Sequence, residues 1–189
     1  MRDKTEQILK AAIAVFIKKG LQATTQEIAK EADVAEVTLF RKFSTKQNLF
    51  KNVIKHVIEN QFNPFMMEIA AEEDTEVFLT KIIKNRLEIL SKNIPLVKML
   101  ISESLMGNLT DEIDFPNIIF FSLKKGLDRH FENKGDHVNT ELCARQLGGI
   151  FLSQIILPNE KPYYRLNEQE KNILAKTYAQ SVISVINER

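Results

Sequence analysis

The chain has 189 residues, 44% hydrophobic and 27% charged, with six Gly and five Pro, which excludes a disordered tail or a fibre and leaves one large or two small globular domains. Its net charge of +1 hides an asymmetry, residues 1–60 being net positive and residues 61–189 net negative, so the first third suits a polyanionic partner. Cys143 is the only cysteine, no apolar run is long enough for a bilayer and the N-terminus MRDKTEQ is polar. The expectation is a cytoplasmic protein with no secretory signal, no intramolecular disulfide and no membrane partner.

Helix start and stop signals recur throughout, and no segment reads as a strand. Asp3 and Glu6 have capping-box spacing before Ile8, Leu9, Ala12, Ile13 and Phe16, and Gly20 ends the run. Thr24 with Glu27 opens a short helix carrying Ile28 and Ala29. A break at Asp33-Val34 leads to another, about Glu36 to Lys42. Ser44 with Gln47 opens a fourth through Leu49, Phe50, Val53 and Ile54, which Pro64 kinks or restarts. Further helices are expected from Thr75 to Lys92, from about Pro95 to Gly107, and from Pro116 to just before Gly135. The last two run from Thr140 to Leu157 and from a cap at Asn167 and Glu170 nearly to the C-terminus. The fold class is all-α, about nine helices.

Residues 24–43, TTQEIAKEADVAEVTLFRKF, carry the most informative pattern. Two short helices around a tight turn must lean on a third, which the helix from Asp3 to Lys19 supplies. Ile28, Ala29, Val34, Leu39 and Phe43 have the spacing to close a small core, leaving Glu36, Thr38, Arg41 and Lys42 outward. This is the pattern of a helix-turn-helix, whose second helix enters the major groove; a purely structural helical hairpin is the alternative.

The stretch IAKEADVAEVTLFRKFSTKQNLF resembles the signature of the tetracycline-repressor (TetR) family, through Ile28-Ala29, Val34, Thr38-Leu39-Phe40, Phe43, Ser44, Lys46 and Leu49-Phe50. The resemblance covers about the first 55 residues in detail. It implies a DNA-binding domain at 1–46 and a helical ligand-binding and dimerisation domain at 47–189. It also implies a homodimeric repressor that binds a palindromic double-stranded operator and is released by a small, largely apolar ligand. Carried over by position, Thr25 contacts a phosphate, Gln26 reaches a base edge, and Thr38 and Phe40 meet DNA. Lys46 resembles the family's phosphate-binding lysine, and Arg41 and Lys42 reinforce backbone attraction. Several residues depart from the family pattern. Asp33 stands for the usual turn glycine, and Ala35 for an N-capping Ser or Thr. Glu36 replaces a common cation and is suited to accept from a cytosine amino group. Val37 replaces a frequent glycine and suits a thymine methyl, and Phe40 lacks the phenolic hydroxyl of tyrosine.

For the body, the last pair of helices is the candidate dimer interface. Gly148 and Gly149 sit mid-helix, where each costs about 1 kcal/mol relative to alanine and suits a close backbone approach; Phe151, Leu174, Tyr178 and Val182 extend the surface. An intrachain core is the alternative for the same residues. Beyond residue 60 lie eight Phe and four Met. Phe62, Phe65, Met66, Met99, Met106, Phe120, Phe121 and Phe151 either line an adaptable ligand cavity or simply fill the core. Glu103 projects onto the apolar stripe of Leu96, Met99 and Leu100, where a carboxylate is costly unless paired. Its expected partner is Arg86 or Arg145, or else a ligand.

An enzyme is not expected. His56, His130, His137 and Cys143 make no zinc-type spacing, and no phosphate loop or nucleophile elbow occurs, so neither metal nor cofactor is expected. Cys143 reads as a small core hydrophobe. A helical protein-interaction adaptor without DNA binding is the other reading; it explains the amphipathic helices but not the charge asymmetry.

Overall fold

The computed structural model describes residues 4–61, 63–109, 115–135, 137–157 and 160–187. These form α1 (Thr5–Lys19), a 3₁₀ turn (Gly20–Gln22), α2 (Thr25–Glu31), α3 (Glu36–Phe43), α4 (Lys46–Gln61), α5 (Asn63–Ile69), α6 (Thr75–Lys92) and α7 (Ile94–Leu105). After them come α8 (Phe115–Lys134), α9 (Thr140–Ile156), a second 3₁₀ turn (Tyr163–Arg165) and α10 (Glu168–Asn187). No strand occurs among the described residues. The described residues are all-α, as expected, and form ten α-helices, the restart expected near Pro64 separating α4 from α5.

The helix boundaries follow from local chemistry. Thr24 and Glu27 make a reciprocal capping box at the start of α2, and Asn167 and Glu170 make one at the start of α10, with bonds of 2.9 and 2.7 Å. Asp74 accepts from the Val77 N–H to open α6, and Asn139 accepts from Leu142 to open α9. The expected Asp3 cap lies outside the described residues; Lys4 stands at the N-cap of α1 with no side-chain bond. The cap of α4 is one residue later than expected. Thr45, not Ser44, accepts from the Asn48 N–H at 3.0 Å, while Ser44 takes φ +62° to end α3.

The chain divides into two compact units, residues 1–60 with 95–116 and residues 61–94 with 117–189. The first takes in most of α4 and nearly all of α7. In it α1 packs on α2 and α2 on α3, and Ile8, Ala12, Phe16, Ile28, Leu39, Leu49 and Val53 are fully buried. Phe16 meets Phe50 edge-on at 4.9 Å, a geometry aromatic rings favour. Val34 is only half-buried, so it borders this core instead of filling it.

In the second unit α6 packs against α9 and α10, over Phe78, Leu79, Ile82, Ile83, Leu147, Ala175 and Ala179. His130 stacks on Phe78 at 3.8 Å and lies 3.1 Å from the Thr75 hydroxyl. Cys143 is buried, as a small hydrophobe should be. No described helix is long and apolar enough to cross a membrane.

Candidate nucleic-acid interface

The turn between α2 and α3 is closed by backbone bonds from Asp33 N–H to the Lys30 carbonyl and from Val34 N–H to the Ala29 carbonyl. Asp33 takes φ +47° there, the left-handed conformation that glycine more commonly supplies and Asp tolerates. Gln7 of α1 donates to the Ala32 carbonyl at 2.6 Å and so ties the end of α2 to the supporting helix. Asn48 of α4 does the same for α3 through the Phe43 carbonyl at 2.8 Å. Ala35 provides no side-chain cap to α3.

With Leu39 and Phe43 buried beneath it, α3 turns its other face outward. Val37 is 73% exposed and Phe40 43%; Arg41, Lys42 and Gln26 are exposed, and Thr25, Glu36, Thr38 and Lys46 half-buried. Two bulky apolar side chains beside two cations form a surface that water alone does not favour.

Several of these groups are already engaged. The Thr25 hydroxyl donates to Glu36 Oε1 at 2.6 Å, so as a phosphate donor it must first give up that bond. The same bond fixes the Glu36 carboxylate at the start of α3. Lys42 donates to the Thr5 hydroxyl at 2.9 Å. Lys46 donates to the Leu21 carbonyl at 2.7 Å, which leaves its other ammonium protons for a phosphate. Glu27, which closes the capping box, is held below the usual carboxylate range by its hydrogen bond from Lys19, then by the Thr24 backbone.

Glu103 corrects the expectation most clearly. It is 8% exposed, yet its partners are not cations. Oε1 accepts from the Leu21 N–H at 3.1 Å, and Oε2 from the Asn108 side-chain amide at 2.7 Å. Arg145 instead pairs with Glu141 at 3.0 Å and lies 5.2 Å from the Phe120 ring centroid. Arg86 is 1% exposed, donates to Asn85 and has its pKa pushed down to about 9 by burial.

The residues expected to line a ligand cavity are spread over both units. Met99, Glu103 and Met106 belong to the first, and Met66, Phe120, Phe121 and Phe151 to the second; Phe62 lies outside the described residues. Met106 and Phe121 are each 61% exposed and so do not line an enclosed cavity. Met66 is buried directly over Gly126, where a Cβ would meet its terminal methyl. A cleft of about 400 Å³ in the second unit is lined by one of the expected residues, Phe65, together with Lys81, Lys84, Asn85, Glu88 and Glu168.

The dimer residues also divide. Phe151 and Val182 are buried within their own chain, at 5% and 0% exposure, so their side chains are not free for a subunit contact. Tyr178 is half-buried and accepts from Gln154 at 3.0 Å; Leu174 and Gly148 are half-buried too. The exposed face of α9 is Glu141, Leu142, Arg145, Gly149, Leu152 and Ile156. The helical spacing of its apolar members is visible in the sequence.

The profile described as "Bacterial regulatory proteins, tetR family" matches residues 8–53, which include the whole α2–α3 pair. A fatty acid metabolism regulator protein of Bacillus subtilis is 30% identical over 145 residues, covering 67% of this chain and 74% of that protein. An HTH-type transcriptional regulator of the same organism, YvkB, is 42% identical over 62 residues, 32% of this chain and 33% of that one. Against YvkB and two other relatives, the chain spans between a third and two thirds of their length. In fold, the TetR-family transcriptional regulator PfmR of Thermus thermophilus superposes with a TM-score of 0.66 at 16% identity, over 96% of this chain and 99% of that one. With its outward α3 on a buried α1–α2 base, the chain belongs to the TetR family of DNA-binding transcriptional regulators.

Proposed function

We propose that this protein is a homodimeric repressor whose two heads read the half-sites of a palindromic operator and release it when a small, largely apolar ligand binds. One observation carries the reading: α3 exposes Val37, Phe40, Arg41 and Lys42 together above a buried Leu39 and Phe43. Cations there suit phosphates, while Val37 and Phe40 suit thymine methyl groups in the major groove. Glu36 accepts only, so it favours a cytosine amino group and disfavours guanine, whose major-groove edge carries acceptors alone.

A single head covers one half-site, and half-sites lie about 34–36 Å apart or at multiples of that spacing. The α9 stripe of Leu142, Gly149, Leu152 and Ile156 supports pairing of two chains. Nothing lies within 4 Å of where a Gly149 Cβ would stand, which leaves room for the backbone of a partner helix. For the effector, the Bacillus subtilis relative named for fatty acid metabolism favours a compound with an acyl chain. Ligand binding and operator release are then two sides of one coupling free energy.

Selection from a pool of random duplexes, followed by light scattering of the free protein, tests this. A palindromic consensus and a dimer mass are expected. A protein that retains no duplex at moderate ionic strength, or that is monomeric at micromolar concentration, contradicts it. Medium- and long-chain fatty acids and their thioesters, titrated into the complex, should displace the DNA.

A further inference from the structure

The first 3₁₀ turn is gripped at both ends of one residue. The Leu21 N–H donates to Glu103 Oε1 at 3.1 Å, and the Leu21 carbonyl accepts from Lys46 Nζ at 2.7 Å. An anion on α7 and a cation at the start of α4 thus polarise the two peptide groups flanking Leu21 in the same sense, and such charge-assisted bonds are stronger than neutral ones. Gly20 makes the approach possible. Its φ is +57°, and a Cβ at that position would collide with Glu103 Oε1. Asn108 holds the other carboxylate oxygen at 2.7 Å, so the group is aimed as well as buried. All of these residues lie within the first compact unit.

As a structural element alone, Glu103 is a poor choice. It is 8% exposed among Leu96, Met99 and Leu100, its partners bring no positive charge, and an apolar residue would fill the stripe at less desolvation cost. What a carboxylate adds is a fixed acceptor for one particular amide. That amide belongs to the turn that runs through the buried Ala23 into Thr24 and Thr25, the start of α2.

We propose that Glu103 is a positioning residue for DNA binding: from α7 it anchors the Gly20–Gln22 turn, and through Leu21 it orients Lys46 and the start of α2 toward the phosphates. This rests on the DNA-binding reading above.

The test uses the full chain and a selected duplex. Glu103→Met keeps the length and apolar fit of the side chain and removes the acceptor. It should bind DNA about tenfold more weakly while keeping a cooperative melt. Its Leu21 amide should exchange faster while the amides of Leu39 and Phe43 do not. Glu103→Gln keeps an acceptor for Leu21 if Asn108 reverses its amide, and should bind within about threefold of the parent. Glu103→Met and Lys46→Ala should be less than additive, because both act through Leu21. Asn108→Ala leaves the α7 core intact and should weaken binding about threefold; it carries the test if Glu103→Met loses its cooperative melt. Parent-like DNA affinity in Glu103→Met or in Asn108→Ala, or strict additivity with Lys46→Ala, would overturn the proposal. A parent protein that binds no duplex would instead overturn the DNA-binding reading itself.

Discussion

The outward faces of α3 and α9 look alike by exposure and differ by charge. Val37 and Phe40 on α3 are 73% and 43% exposed, while Leu142, Leu152 and Ile156 on α9 are 44%, 44% and 62% exposed. Around the first pair stand Arg41 and Lys42, exposed on the same helix. Among the second stands one cation, Arg145, already paired with Glu141 on its own helix. An exposed apolar patch announces a partner; the charge around it says of what kind. Cations beside apolar groups suit a duplex, whose phosphates and methyls need both, whereas a nearly neutral stripe with a glycine suits another protein helix.

Pairing through α9 is most vulnerable at Leu152 and Ile156. Leu152→Glu with Ile156→Glu should convert the protein to a monomer by light scattering and weaken operator binding by more than about a hundredfold, because the second half-site is lost. A dimer surviving both changes would place the interface elsewhere. Next in size, Arg41→Ala with Lys42→Ala should leave the dimer mass intact and weaken all duplexes, sequence regardless. The slope of log affinity against log salt should become shallower by about two; an unchanged slope would remove these cations from the phosphate contacts.

Glu36→Gln has a subtler effect. Gln donates as well as accepts and prefers adenine, so the selected consensus should shift at one position per half-site, a discrimination of about 1–3 kcal/mol. The same consensus from both proteins would mean that Glu36 serves only to hold Thr25. Smallest is Ala35→Ser, which supplies the missing cap to α3 and should stabilise the protein by about 1 kcal/mol with no change in mass or consensus. A fall in melting temperature would show that residue 35 cannot take a capping geometry.

Much of this architecture was legible in the sequence because it is written in local chemistry. Thr24 with Glu27 and Asn167 with Glu170 are spaced for reciprocal caps, and the structure makes both boxes. The start and end of α6 at Thr75 and Lys92 match the pattern because Asp74 caps the helix where periodicity begins. The α4 cap was ambiguous for a local reason: Ser44 and Thr45 are adjacent, and both have a polar residue three positions on. Distant partners leave no such mark. Periodicity shows that Glu103 lies on an apolar stripe, yet its partner is a backbone amide 82 residues earlier, a group every residue but proline possesses. Nor does periodicity tell an apolar face turned inward from one turned to a partner. Phe151 and Leu152 are neighbours on α9, one buried and one exposed, and only packing separates them.

If α3 is the surface that meets DNA, Phe40 stands at its centre. Phe40→Glu places a negative charge there, on a side chain exposed enough for the fold to tolerate it. Equilibrium binding to the selected duplex should fall by more than about a hundredfold as a like charge meets the phosphates, while the melting temperature and the dimer mass stay those of the parent. Binding as tight as the parent's, in a variant that melts normally, would contradict a DNA-facing α3.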